Sequence, residues 1–260
     1  MRLRQRIASA LLLTLTGAYP AYGFAGCVAQ SGPYTAALVE LYTSEGCSSC
    51  PPADHQLSQL RRTLDPTAVV VPLSLHVDYW DYIGWNDPYA QGEFAKRHSW
   101  LVSTNRHSVV YTPHFFVSGS ELRTGSGNLS DQVRRLNAKP AGASIRIEAS
   151  PAPNDSLALT ANATARNSGD RAELYLAVAE NGLSSKVTRG ENGGVTLTHD
   201  HVVRVWIGPI PLTGGEAQVR REIALPASWN RAQLEVIGLV EDRDSGTVLQ
   251  AAGAQQCFRS

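Results

Sequence analysis

The hydrophobic pattern changes character near Pro140. Before that point, apolar residues come in unbroken runs joined by stretches of helical spacing; beyond it they form short runs that alternate with polar residues. Residues 35–42 are mostly apolar apart from Glu40, and residues 68–77 form a second, largely continuous apolar run. Runs of this kind predict central strands of a parallel sheet, buried on both faces. Between them, Leu57, Leu60 and Leu64 recur at helical spacing over 54–64, and Pro51 and Pro52 occupy the opening turn, where a missing N–H costs little. A second helix is predicted over 89–103, with Phe94, Trp100 and Leu101 inward. The aromatic segment 78–88 between strand and helix reads as a lid packed on the core, since aromatic area is mostly buried, or as part of a binding surface.

Residues 109–122 predict an extended approach, a proline, a short strand, a tight turn at Ser118-Gly119 and a return strand. A cis Thr112–Pro113 bond is one arrangement that accommodates a proline directly before a strand. A helix over 130–136, capped by Ser130, closes this half. The alternating runs that follow are 144–148, 157–163, 174–180, 195–199, 202–207, 217–223, 234–241 and 247–251, separated by Gly, Asn, Asp and Pro. They predict an antiparallel sandwich. The expected organisation is an α/β domain over 26–139 followed by an all-β sandwich domain over 140–260.

The first 25 residues carry Arg2, Arg4 and Arg6, an apolar run over 7–15, and small residues ahead of Cys27. This is the layout of a secretory signal, and the run is too short for a permanent anchor. Export to the periplasm or the medium is expected, with residues 1–25 removed. Phe24-Ala25-Gly26-Cys27 also resembles a lipoprotein box, which would place a lipid on Cys27. No later segment reaches transmembrane length. Lys plus Arg and Asp plus Glu both number 23, so no net field draws the chain to nucleic acid or to an anionic membrane.

The four cysteines are Cys27, Cys47, Cys50 and Cys257. In an oxidising compartment an even count suggests two bridges, and the close pair at 47 and 50 leaves Cys27 to meet Cys257. That second bridge would close a loop of more than two hundred residues, for which chain entropy gives ~5 kcal/mol. The C-x-x-C at 47–50 falls between a buried strand and a helix. A thiolate at Cys47 there would face the free N–H groups and the positive end of the helix dipole, which lowers its pKa, while Glu45 two residues earlier opposes that effect. A zinc site would need a second C-x-x-C, which the sequence lacks. An inert disulfide remains the structural alternative.

Histidines supply a further alternative. His76, His107 and His114 with the two thiols would suit copper, as a carrier. His199 and His201, two apart on an alternating strand, share a face and would chelate together unless the segment is a solvated loop. Arg189-Gly190-Glu191-Asn192-Gly193-Gly194 lacks the strand-to-helix setting of a phosphate loop and reads as a turn. Neither G-x-S-x-G nor H-E-x-x-H is present.

The strand before C-x-x-C, the helix after it, the second strand and Thr112-Pro113 leading into a hairpin together resemble thioredoxin. Over nearly all of the chain beyond the leader, the sequence resembles a family of secreted bacterial proteins known as domain-of-unknown-function family 1223. The carriers are the stretch from Val39 to Pro52, His76-Val77-Asp78-Tyr79-Trp80-Asp81, Tyr111-Thr112-Pro113 and Arg189-Gly190-Glu191-Asn192. The thioredoxin resemblance implies Cys47 as the attacking sulfur, Cys50 as the resolving one and Pro113 as a cis-proline facing the disulfide. It further implies Thr112 as a backbone contact for a partner, and Glu40 as a buried acid taking the proton of Cys50. Glu40 stands one residue farther from the C-x-x-C than the thioredoxin pattern has it, and an ordinary paired carboxylate is the alternative. The expected activity is thiol–disulfide exchange with protein or small-molecule thiols and disulfides, without a cofactor. The competing reading is a binding module or copper carrier in which the pair is a permanent bridge or a metal ligand.

Overall fold

The computed structural model describes residues 26–123, 128–165, 171–255 and 257, which form fourteen strands and four α-helices. The leader expected over residues 1–25 lies outside them. Strands β1 (Cys27–Gln30) and β2 (Ala37–Thr43) open the chain, followed by helices α1 (Pro51–Ser58) and α2 (Leu60–Thr63). Strand β3 (Val70–His76) leads into a 3-10 helix, Asp78–Ile83, and then helix α3 (Gly92–Thr104). Strands β4 (His114–Val117) and β5 (Ser120–Glu121) form a hairpin, and helix α4 (Leu129–Asn137) ends this half. The strand run that follows is β6 (Ser144–Ala152), β7 (Ser156–Thr164), β8 (Ala172–Glu180), β9 (Leu183–Lys186) and β10 (Thr196–His199). It continues through β11 (Val202–Pro211), β12 (Glu216–Ala224), β13 (Leu234–Asp242) and β14 (Val248–Gln255).

Two of these strands, β2 and β3, are the parallel pair expected from the continuous apolar runs. They pair in register from Ala37 with Val70 to Thr43 with His76, and every residue of both is buried. Pro72 sits inside β3, where proline is rare because it donates nothing to a ladder. Its ring nitrogen points the same way as the N–H of Ser74, which donates to His201, at the single position where β11 touches β3. Strand β11 runs parallel to β3 and begins at Val202, opposite Ser74, so at Pro72 it offers no strand partner for the missing donor to lose.

That contact with β11 is also where the two halves of the sequence join. One eight-stranded sheet runs in the order β14-β13-β8-β11-β3-β2-β4-β5, carrying strands of both halves across the boundary at Pro140. Helix α3 covers one face, with Phe94 and Leu101 against Leu38, Leu73, Leu75, Ala177 and Leu239. The other face is shared. Helices α1, α2 and α4 pack on Val39 and Leu41, and farther along, a four-stranded sheet β1-β6-β7-β12 packs on Leu174, Leu176, Val178 and Val236. The result is a mixed α/β architecture dominated by β-sheet.

Several local expectations shift. The helix expected over 54–64 breaks at Gln59 into α1 and α2. Asn128, not Ser130, caps α4, accepting from the Asp131 N–H at 2.8 Å. The short strands β1 and β9 were not anticipated, because four residues give too few alternations to register as a pattern. Cys27 and Cys257 are bonded to each other, which ties β1 to the end of β14 and commits the Cys27 sulfur that a lipid would need.

Arg97 of α3 fastens the layers. Its Nε donates to Glu40 of β2 at 2.8 Å, and its two terminal nitrogens donate to both oxygens of Glu241 in β13, at 2.9 and 2.8 Å. The guanidinium lies 5.1–5.6 Å from the rings of Trp100, Tyr175 and Trp206. Removing it would leave two buried carboxylates without their counter-charge. Arg97→Met is therefore expected to destabilise the fold by ~3–5 kcal/mol, read as a lowered midpoint in denaturant. Arg97→Lys, which keeps the charge but not the forked geometry, should lose less.

Candidate functional site

The segment from Ser44 to Cys50 connects the carboxyl end of β2 to α1. Its turns close through Cys47 N–H to Ser44 O and Cys50 N–H to Cys47 O, both at 3.2 Å, and Cys50 is the N-cap of α1. Prolines at the first two helical positions cost the helix nothing, since those N–H groups have no intrahelical acceptor. Cys47 and Cys50 are joined as a disulfide. Both are buried, at 1% and 0% exposure, so the sulfur expected to attack is not open to solvent in this conformation.

Thr112–Pro113 is cis and stands at the head of β4, which pairs with the carboxyl end of β2 through His114 and Tyr42. Trp80 connects this corner to the disulfide turn. Its indole N–H donates to Thr112 Oγ1 at 2.7 Å, and its Cβ packs where a side chain on Gly46 would start. The aromatic segment thus forms a short 3-10 helix packed beside the turn. A second cis bond, Gly208–Pro209, lies in β11 and was not anticipated.

Glu40 faces away from this corner. Its Oε1 accepts from Arg97 and from the Tyr42 hydroxyl, the latter at 3.2 Å, so its carboxylate is committed to the pairing described above. Three buried acidic groups, Glu45, Asp54 and Asp87, stand around the disulfide turn. Glu45 accepts from the Trp85 indole at 2.9 Å and contacts His199 Nε2 at 3.0 Å. Asp87 accepts from the Glu45 N–H at 2.8 Å and meets His76 Nδ1 at 2.7 Å. Asp54 follows Cys50 by four residues on α1, a spacing that shares one helix face. Its Oδ2 is 3.9 Å from His199 Nδ1, and its Oδ1 is buried without a partner. Burial pushes the Asp54 carboxyl above its usual range, against the lowering pull of His76 and His199. A cleft of about 390 Å³ between α1 and β10, lined by Asp54, His55, Thr198 and His199, leads to this pair from the side.

The histidines do not assemble with the thiols. His76 is bound to Asp87, while His114 and His107 both approach Glu121 at 3.0 Å. Burial beside His114 takes His98 down to about 3, so it is neutral at physiological pH. His199 and His201 are buried rather than solvated, and they part company, His199 to Glu45 and His201 to Glu235. Among the described residues no group of three or more His, Cys, Asp or Glu is arranged to hold a metal ion.

The turn expected at 189–194 sits on the disulfide segment. Glu191 Oε2 accepts from the Ser48 N–H and hydroxyl, at 2.9 and 2.7 Å. Asn192 Nδ2 donates to the carbonyls of Glu45 and Cys47, at 2.8 and 3.0 Å. Sequence reasoning missed Asp54, Asp87 and the placement of His199, Glu191 and Asn192. The signal for the last two was present, since Arg189-Gly190-Glu191-Asn192 already stood among the family's motifs.

Fold and site together define a mixed α/β protein with a buried disulfide at the carboxyl ends of two parallel strands. The family described as "Protein of unknown function (DUF1223)" matches residues 38–241, and the chain belongs to that family. Among solved structures, protein AGR_C_4864 from Agrobacterium tumefaciens aligns with a TM-score of 0.59 at 22% identity, over 88% of this chain and 98% of its own. HBP35 of Porphyromonas gingivalis aligns with a TM-score of 0.65 at 17% identity, over 86% of this chain and 76% of its own. These likenesses concern the fold. No curated protein matches the sequence.

The buried His76–Asp87 pair sets a pH window. Burial alone would lower His76, but Asp87 outweighs it and the imidazole ends above its usual 6.5; for Asp87 burial is likewise outweighed, and the carboxyl falls below 3.8. The contribution of His76 is therefore complete below 6.5 and lost as pH rises through its folded value. That of Asp87 is complete above 3.8 and lost as pH falls through its folded value. An NMR titration should place His76 above 6.5, and Asp87→Asn should remove the loss of stability on the alkaline side.

Proposed function

We propose that this chain is an exported thiol–disulfide oxidoreductase built on a thioredoxin-like unit, with Cys47 and Cys50 as its redox pair. The observation that carries this reading is the place of the disulfide. It bridges the turn between a central parallel strand and the helix that strand feeds, with Thr112 and Pro113 at the head of the neighbouring β4. In the reduced enzyme, the Cys47 thiolate attacks one sulfur of a partner disulfide and the other sulfur leaves as a thiolate. Cys50, once deprotonated, attacks Cys47 in the mixed disulfide and releases the second partner thiolate. Two electrons pass from the Cys47–Cys50 pair to the partner; the same steps in reverse oxidise a partner dithiol.

The proton of Cys50 needs an acceptor. Asp54 is the group placed for it: one helical turn on, buried, with an unpartnered oxygen and a side cleft through which a proton reaches solvent. Glu40 leaves one oxygen unpartnered as well, but its carboxylate is held by Arg97 of α3 and faces away from the disulfide corner. Exposed Val109, Val110 and Tyr111 directly precede Thr112, and Tyr82 stands on the 3-10 helix beside them. This apolar rim suits a protein partner.

The burial of both sulfurs favours a second reading, in which the bridge is permanent and purely structural. Exchange measurements separate the two. The native wild type is expected to exchange disulfides with a dithiol peptide and Cys47→Ser to lose this activity; a folded wild type that never exchanges defeats the enzyme reading. Asp54→Asn is expected to slow turnover ~10²-fold or more near neutral pH, with partial recovery in alkali where Cys50 ionises unaided.

A further inference from the structure

We propose that residues 188–194 are a cover over the redox disulfide, latched by Glu191 and Asn192, and that this cover determines which sulfur compounds reach Cys47. The inference rests on the redox reading above and adds a specificity element to it.

Thiol–disulfide exchange requires the incoming sulfur to reach a disulfide sulfur directly. With Cys47 and Cys50 at 1% and 0% exposure, no reagent meets that requirement until something moves. Cys47 is held in a turn fastened to the second half at two places: His199 of β10 contacts Glu45, and the tip of one hairpin contacts Glu45, Cys47 and Ser48. The base of that hairpin is fixed: Val187 is fully buried, its N–H donates to Val195 O at 3.0 Å, and its carbonyl accepts from Gly194 N–H at 2.9 Å. Its tip is built to move as a unit. Gly190 and Gly194 have φ of 74° and 91°, in the region that favours glycine, and they bracket the segment carrying Glu191 and Asn192.

Three contacts hold the tip down. Glu191 receives both donors of Ser48, and Asn192 donates to the carbonyls of Glu45 and Cys47. Ile83 fills the space between: a methyl group added at Gly190 would lie 3.0 Å from its Cδ1, and one added at Gly46 3.3 Å from the same carbon. A glycine on each side is what allows the hairpin tip, Ile83 and the disulfide turn to stack. Glu191 thus occupies the exposed N–H edge of the disulfide turn and puts a negative charge at the entrance. A folded protein needs a wider opening than a small neutral dithiol, and an anionic thiol meets the Glu191 carboxylate first.

The test is the rate at which the native full-length chain is reduced by dithiothreitol and by a thioredoxin-sized protein dithiol, across a range of concentrations. For the wild type the rate is expected to level off as reductant rises, because lifting of the cover becomes limiting. Glu191→Ala, an exposed change that spares folding, should raise that plateau about fivefold or more, the factor equivalent to one net hydrogen bond. Asn192→Ala should do the same, with a larger gain for the protein reductant than for dithiothreitol. Rates that stay linear in reductant and equal for wild type and both variants overturn the cover and leave the redox reading standing. Resistance of all three native proteins to both reductants, with ready reduction once unfolded, overturns the cover and the redox reading together.

Discussion

The fold depends on one buried cation. Arg97 holds Glu40 from the first half of the sequence and Glu241 from the second, within a ring of Trp100, Tyr175 and Trp206. Its two acceptors stand on β2 and β13, four strands apart in one sheet, so the helix carrying it sets the spacing between strands that never touch. An interaction of this kind contributes little net stability over a well-packed apolar core, but losing one member is severe. Its value lies in specificity: this placement of α3 on the sheet brings all three guanidinium nitrogens onto two carboxylates at once.

A second buried polar web lies at the carboxyl ends of β2 and β3, and it too draws on both halves. Glu45 and Asp54 come from the disulfide turn and its helix, His76 and Asp87 from β3 and the lid, His199 from β10. The second half is therefore not an appendage to the disulfide turn. It supplies the His199 imidazole to Glu45, and Glu191 and Asn192 to the backbone of the turn whose two cysteines are buried.

The elements that could be read from sequence were those whose periodicity is long enough to be unmistakable: the continuous runs of β2 and β3, and the eight alternating runs beyond Pro140. The pairing of cysteines followed from their number and spacing. What escaped were the polar relations fixed by tertiary contact. The C-x-x-C pattern announces Cys47 and Cys50, but nothing local says that Glu40 will meet Arg97, 57 positions on, rather than a thiol. Asp54 looked like any acid in the first turn of a helix, favoured there by the dipole alone. His199 and Glu191 lie about 150 positions from their partners, beyond any spacing rule. The hairpin tip looked like a glycine turn because it is one; its role comes from where the turn lands.

The bond between Cys27 and Cys257 gives the chain the topology of a ring, closed across 230 positions. A single backbone cut anywhere within that ring leaves one covalent molecule, and the strands on either side of the cut stay tethered to each other through the bridge. In a compartment rich in proteases, a nicked molecule of this kind keeps its halves at high effective concentration and can close up again rather than drift apart.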